Sequence, residues 1–317
     1  MRSATELIAR LEAGERRAVG RLITWAERAD PRAVEVFRLK CRELGHAYVV
    51  GVTGAPGSGK STLTNALCLR LLDEGRKVRV IAVDPTSPFS GGAILGDRVR
   101  LNELATHPRL FIRSMGTRGH LGGLSKATSM ALRALDLSGC DVIFIETVGV
   151  GQSEVDVMRV CHTTLMVMVP GLGDDIQAIK AGVMEVGDVF VVNQADRDGA
   201  RRTAREVNAM LDLSHSDWRP PVKLASALKR EGLEELWEAL GEHRAYMEGE
   251  RGLQRRVESA EYELLALAQE RLTAQLKAGL SAQTAGADLK SLATLVAERA
   301  LDPYSALEQL MGAQPSP

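Results

Sequence analysis

Short apolar runs punctuate the middle of the chain at Tyr48–Val52, Val78–Val83, Leu110–Ile112, Val142–Ile145, Leu165–Val169, Val189–Val192 and Val222–Leu224. Each is of strand length, most are rich in β-branched residues, and helical stretches fill the gaps between them. Runs that are apolar at nearly every position, rather than at alternate ones, belong to strands covered on both faces. Such spacing predicts βαβ units and a mostly parallel sheet. The pattern changes on either side of this block. Residues 1–45 read as helices: Ser3 with Glu6 makes a capping box ahead of Leu7, Ile8 and Leu11. Asp30-Pro31 reads as an N-cap with proline at the first helical position, opening a helix toward Leu44-Gly45. After Ser226 the strand signal stops. Leu233 to about Lys277 is dense in Leu, Ala, Glu and Arg and predicts one or two long helices. A second helical pattern lies near Asp288–Ala300, before a fraying end that holds Pro315 and Pro317. Three parts are expected: an N-terminal helical extension over 1–45, an α/β domain over 46–230 and a C-terminal helical region over 231–317.

Composition narrows the setting. The 317 residues carry 40 Lys+Arg against 41 Asp+Glu, a net charge of −1. That balance removes any whole-protein argument for binding nucleic acid or an anionic membrane. No run approaches the ~18 apolar residues a membrane-spanning helix needs, and Met1 to Arg17 mixes acids and bases without a signal-peptide core. Cys41, Cys68, Cys140 and Cys161 are far apart and form no CxxC pair. Each lies in an apolar or helical stretch, so reduced, buried thiols and a cytoplasmic location are expected.

The strongest chemical signal is Gly54-Ala55-Pro56-Gly57-Ser58-Gly59-Lys60-Ser61, which fits G-x-x-x-x-G-K-[ST] at every position. It follows the run Tyr48–Val52 and precedes a helical pattern with Leu63, Leu67 and Leu71 on one face. Glycines let such a loop wrap a phosphate with its N–H groups pointing inward. The helix that follows adds its N-terminal partial positive charge. Lys60 is expected to reach the β- and γ-phosphates, the Ser61 hydroxyl to face Mg²⁺, and Thr62 to join the loop in binding the nucleotide. The predicted fold class is therefore an α/β P-loop NTPase with helical extensions at both ends.

Purine choice is carried by Asn193-Gln194-Ala195-Asp196, directly after the run Val189–Val192, which resembles the NKxD guanine loop of GTPases. A carboxylate at Asp196 accepts from guanine N1–H and the 2-amino group. Adenine offers neither donor and would leave that carboxylate unpaired, at a cost of a few kcal/mol. Gln194 stands where the usual lysine would be. Ser226-Ala227-Leu228, after Val222–Leu224, resembles the SAL/SAK loop whose backbone contacts guanine O6. For the metal, three acids are candidates beside Ser61: Asp84 and Glu146 at strand ends, and Asp97 in the Gly-rich segment 90–98.

Further motifs stand in order: Asp84-Pro85-Thr86-Ser87 with Gly91 to Asp97, then Glu146-Thr147-Val148-Gly149-Val150-Gly151-Gln152-Ser153-Glu154, then Gly173 to Gly182. Together they resemble the MeaB/ArgK family, the methylmalonyl-CoA mutase-associated GTPases. The resemblance implies a GTP-hydrolysing chaperone that cycles between GTP and GDP with Mg²⁺. Its partner would be an adenosylcobalamin-dependent acyl-CoA mutase, whose cofactor loading it would gate; a homodimer built on C-terminal helices is implied too. By the same resemblance Asp84, Asp97 and Glu146 are the Mg²⁺ and switch acids, and Gln177 and Lys180 lie in a third switch that responds to the mutase.

Gly149 is followed by Val150, where Ras-like GTPases carry a glutamine that orients water. Slow intrinsic hydrolysis is therefore expected, stimulated when a partner sets Lys180 or Gln177 against the developing charge. The Gly-rich stretches 91–96, 116–123 and 149–151 are the candidate switches. Two other functions share the P-loop. A metallochaperone GTPase for metalloenzyme maturation calls for clustered His and Cys, whereas the six histidines are scattered. An ATP-dependent kinase has no use for Asp196.

Overall fold

The structure, a computed structural model, describes residues 3–28, 30–84, 107–116, 126–147, 158–171, 187–213, 217–282 and 289–310. Two compact units result, 1–259 and 260–317. Asp97, Gln177, Lys180 and the Gly-rich switch segments lie outside the described residues, apart from the backbone of Gly116.

In the first unit seven strands follow the apolar runs: β1 (Tyr48–Gly54), β2 (Val78–Asp84), β3 (Leu110–Gly116), β4 (Val142–Thr147), β5 (Thr163–Met168), β6 (Val189–Val192) and β7 (Val222–Leu224). They form one sheet in the order β3-β2-β4-β1-β5-β6-β7, with every pairing parallel. The register sets Val52 opposite Glu146 on one side of β1 and Gly54 opposite Val167 on the other. All residues of β1, β4, β5 and β6 are buried.

Helices cover both faces. On one, α1 (Ala4–Glu12), α2 (Arg16–Glu27) and α3 (Pro31–Lys40) share a core with Val49, Ile143 and Ile145 of the sheet. Leu7, Leu22, Ile23 and Val36 are wholly buried there. At about 1.5–3 kcal/mol for each buried aliphatic side chain, this interface fastens the three helices to the sheet. The caps are those the sequence predicts: Ser3 accepts from the Glu6 N–H, and Asp30 from the Arg32 N–H with Pro31 behind it. The same face holds α5 (Lys126–Asp136). On the other face α4 (Lys60–Asp73) packs against Val50, Val52 and Phe144, beside the helix that follows β7. The last strands pack on α6 (Ala200–Leu211). Beyond β7 the dense Leu/Ala/Glu stretch forms α7 (Leu233–Tyr246) and α8 (Glu250–Ala282), separated at Met247–Gly249.

Two expectations need correcting. Cys68, Cys140 and Cys161 are buried free thiols, but Cys41 is exposed, because it opens a short 3-10 turn where α3 leaves the core. The second unit contains α9 (Leu289–Ala297), close to its predicted span, and also α10 (Pro303–Leu310), which the pattern did not indicate. Asp302 caps α10 by accepting from the N–H groups of Tyr304 and Ser305, both at 3.0 Å.

At the N-terminal edge of the sheet a polar network ties α7 and the start of α8 to the strands. Tyr48 Oη lies 2.6 Å from Thr163 Oγ1 and 2.8 Å from the Leu240 carbonyl, and His243 Nδ1 is 2.8 Å from the same hydroxyl. Asp188 receives both arms of Arg255 and the N–H of Thr164. Beside this network His162 Nδ1 accepts from the Val49 N–H at 3.0 Å. Burial first, then the nearby Arg244, Arg255 and Arg256, push the His162 pKa down to about 4. Below the ordinary value near 6.5 the unfolded chain takes up a proton that the folded chain refuses, so stability falls as pH drops from about 6.5 toward about 4. The loss expected from this group alone is about 2 kcal/mol at about pH 5. Urea unfolding against pH measures it. In His162→Asn, whose amide oxygen still accepts but does not titrate, that part of the slope disappears.

Candidate functional site

The opposite, C-terminal edge gathers the chemistry. Ligands of open parallel sheets sit beyond the carboxyl ends of the strands where the chain order reverses, and here the order reverses around β1, flanked by β4 and β5. The Gly54–Ser61 loop leaves β1 at that point and runs into α4. Gly54 has φ +146°, and a Cβ on it would lie 2.2 Å from the Val167 carbonyl oxygen. Gly59 has φ +84°, with the side-chain nitrogen of Asn193 only 2.5 Å from where its Cβ would be. Both sites demand glycine on conformation and on space. The first turn of α4, which contains Thr62, has no acidic residue to cancel the partial positive charge of the helix start. Ser58 Oγ, in the middle of the loop, is buried with no hydrogen-bond partner among the described residues.

Lys60 opens α4 and is only 6% exposed. Its ammonium arches back over the loop, donating to the carbonyls of Gly54 at 2.8 Å and Ala55 at 3.0 Å. The charge is thereby held above the backbone cradle. Ser61 donates its hydroxyl to Glu146, a buried carboxylate on β4. This hydroxyl and carboxylate fit a magnesium ion, which takes a few hard oxygens and keeps several waters. Asp84 ends β2 two residues beyond Ala82, the register partner of Glu146, so its backbone reaches the same edge. The surroundings of its side chain lie outside the described residues.

The guanine-type loop meets the phosphate loop through Asn193. Its side-chain nitrogen donates to the Ser58 carbonyl at 3.0 Å and its oxygen accepts from the Ala227 N–H at 3.2 Å. One buried amide thus stitches the loops after β1, β6 and β7 together. Asp196 accepts from the Ser226 hydroxyl at 2.7 Å, and Lys229 Nζ stands 3.6 Å from its other oxygen. The Ser226 hydrogen bond, followed by the residue's own N–H and the Lys229 charge, holds the Asp196 carboxyl below its ordinary pKa. Gln194 adopts φ +59°, and its amide lies against Gly59. Leu228 is 85% exposed at the rim.

The structure therefore brings Gly54–Ser61, Glu146, Asn193, Gln194, Asp196 and Ser226–Leu228 to one edge. Two features escaped the sequence reading. Ser226 donates its side-chain hydroxyl to Asp196, whereas the motif points only to backbone contacts of its loop, and Lys229 stands beside the same carboxylate although no motif contains it. No spacing in the sequence points to the latter, because it depends on how the turn 226–231 closes.

The chain is similar to several known proteins. The profile of the family described as "Methylmalonyl Co-A mutase-associated GTPase MeaB" matches residues 19–281. A putative GTPase of Pyrococcus abyssi is 46% identical over 96% of this chain and 95% of its own length. The GTPase ArgK of Escherichia coli K12 is 40% identical over 74% of each chain. A mitochondrial methylmalonic aciduria type A homolog of Caenorhabditis elegans is 34% identical over 75% of this chain and 66% of its own. Among solved structures, a LAO/AO transport system kinase superposes with a TM-score of 0.73 at 28% identity, covering 98% of this chain and 96% of that one.

Proposed function

The chain belongs to the MeaB family of P-loop GTPases, and from that premise we propose a magnesium-dependent GTP hydrolase that chaperones an adenosylcobalamin-dependent acyl-CoA mutase. Methylmalonyl-CoA mutase is the first candidate client. One constellation carries the reading: the phosphate loop, the Ser61–Glu146 pair and Asp196 share one edge of the sheet, in a chain whose family description names that mutase.

The loop N–H groups and the start of α4 would hold the phosphates. Lys60 would turn from the loop carbonyls to the γ-phosphate and neutralise the charge that develops on transfer. Magnesium held by Ser61 and Glu146, with Asp84 and Asp97 as further ligands, would supply Lewis-acid neutralisation of the phosphate oxygens. Asp196 would select guanine. With Val150 and not a glutamine after the switch glycine, no side chain there would orient the water, and Gln177 or Lys180 would complete the site when the mutase binds. For hydrolysis to gate cofactor loading, the GTP and GDP forms must bind the mutase with different free energies. Leu253, Val257, Leu264, Leu265 and Leu272 stand exposed along α8, which supports pairing with a second copy. Among the described residues no helix is long and apolar enough to cross a membrane, which suits action in the cytoplasm.

The test is GTP turnover of the purified protein with and without methylmalonyl-CoA mutase. Stimulation of about tenfold or more, abolished in Lys180→Ala, is expected if a positioned cation supplies a kcal/mol or more in the closed site. Neither complex formation nor stimulation with this mutase or with isobutyryl-CoA mutase would reject the chaperone role and leave the GTPase.

A further inference from the structure

The guanine loop lacks its usual lysine, and the structure offers another cation at the same carboxylate. Lys229 Nζ lies 3.6 Å from Asp196 Oδ2, while Ser226 occupies Oδ1. Among the described residues, Lys229 is the one cation within ion-pair range of Asp196. Its position is built rather than incidental. Ser226 and Glu231 exchange backbone hydrogen bonds at 3.0 and 3.2 Å, which closes the turn that contains Lys229. That turn is held at its far end by Gly232, where φ is +70° and a Cβ would come 2.1 Å from the Leu224 carbonyl oxygen. Gln194 is left-handed at φ +59°, its side-chain nitrogen lies 3.9 Å from where a Cβ on Gly59 would be, and it brings no charge to the loop.

We propose that Lys229 is a specificity-determining residue of the guanine site, a cation from the loop after β7 that fixes Asp196 toward guanine N1–H and the 2-amino group. The inference rests on Asp196 reading guanine, as proposed above. With the site open, Lys229 is 54% exposed and Asp196 30% exposed, so water screens the pair and its contribution is small. A purine seated on Asp196 displaces that water, and the attraction strengthens when the base is bound. The effect belongs to nucleotide affinity, not to folding.

Binding of fluorescent GDP and ADP to the full chain tests this. Lys229→Ala is expected to weaken GDP by about five- to tenfold and leave ADP unchanged, the scale of one modest charge pair on partial desolvation. Lys229→Arg, which keeps the charge, retains most of the affinity. Lys229→Met, which keeps the side-chain stem without its charge, weakens GDP as alanine does, an outcome that a purely structural role for the stem would not produce. GDP affinity within about twofold of wild type in Lys229→Ala, or wild-type affinity in Lys229→Met, overturns the proposal. Asp196→Ala separates the two levels. If it leaves the GDP preference intact, the reading of the base site is wrong; if it abolishes the preference while Lys229→Ala does nothing, only the role of Lys229 falls.

Discussion

Replacing Lys60 with alanine is expected to lower GTP turnover by about a thousandfold or more while the protein stays folded. The ammonium is buried at the start of α4 and held by two loop carbonyls over the cradle where phosphates would lie. A charge in such a place meets the developing negative charge in a poorly screened environment, where one preorganised contact contributes roughly 3–4 kcal/mol. Folding should suffer much less. The mutant loses two hydrogen bonds to carbonyls, a cost of about 1–3 kcal/mol, and is spared the desolvation of a buried ammonium, which offsets part of it. Single-turnover hydrolysis at saturating GTP and magnesium, run beside urea unfolding, separates the two effects. Turnover within about tenfold of the wild type, with the fold intact, would remove Lys60 from the phosphate site and with it the reading of the loop. Lys60→Arg should not rescue, since the longer planar fork does not fit where a compact ammonium spans two carbonyls about 3 Å away.

The parts of this molecule that were legible in the sequence are those with a strong local cause. Seven strands announced themselves because a strand between two helical layers is apolar at nearly every position, and β1, β4, β5 and β6 are buried throughout. Strand ends were less visible: β3 runs on through Arg113-Ser114-Met115-Gly116, beyond the apolar Leu110–Ile112, because backbone pairing with β2 continues where side-chain pattern does not. Asp30-Pro31 marks the start of α3, yet the identical Asp302-Pro303 gives no clear helix signal at α10, since that helix spans only eight residues and its apolar face is short. At the site, motifs point to residues whose type is dictated by backbone geometry, as at Gly54 and Gly59. Lys229 has no such constraint. Its approach to Asp196 depends on how the turn 226–231 closes, a tertiary fact that no spacing rule contains. Asp97, Gln177 and Lys180 lie outside the described residues, and their roles rest on the family resemblance.

The second large effect expected is an exchange of base preference on replacing Asp196 with asparagine. A carboxylate offers two acceptors, matched to the N1–H and 2-amino donors of guanine. Asparagine presents one acceptor and one donor, so its amide N–H faces the guanine 2-amino group and one hydrogen bond becomes a clash of donors. Hydrogen bonds to a charged group contribute about 1.5–3 kcal/mol each, and a buried polar group left unmatched costs a similar amount again. A loss of GDP affinity of roughly a hundred- to a thousandfold follows. Xanthine carries an oxygen at position 2 in place of the amino group, so the same substitution should strengthen xanthosine diphosphate and invert the ratio. The local scaffold favours this outcome: the Ser226 hydroxyl is able to donate to the amide oxygen at the place where it now meets the carboxylate, so the side chain keeps its orientation. The neighbouring Asn193 bridge between the phosphate loop and Ala227 is untouched, so the change is confined to the base. Competition between the two diphosphates for the full chain measures the inversion directly. If Asp196→Asn binds GDP within about fivefold of wild type and gains nothing with the xanthine nucleotide, the base lies elsewhere, and the loops after β6 and β7 are a structural seam and not a reader of guanine.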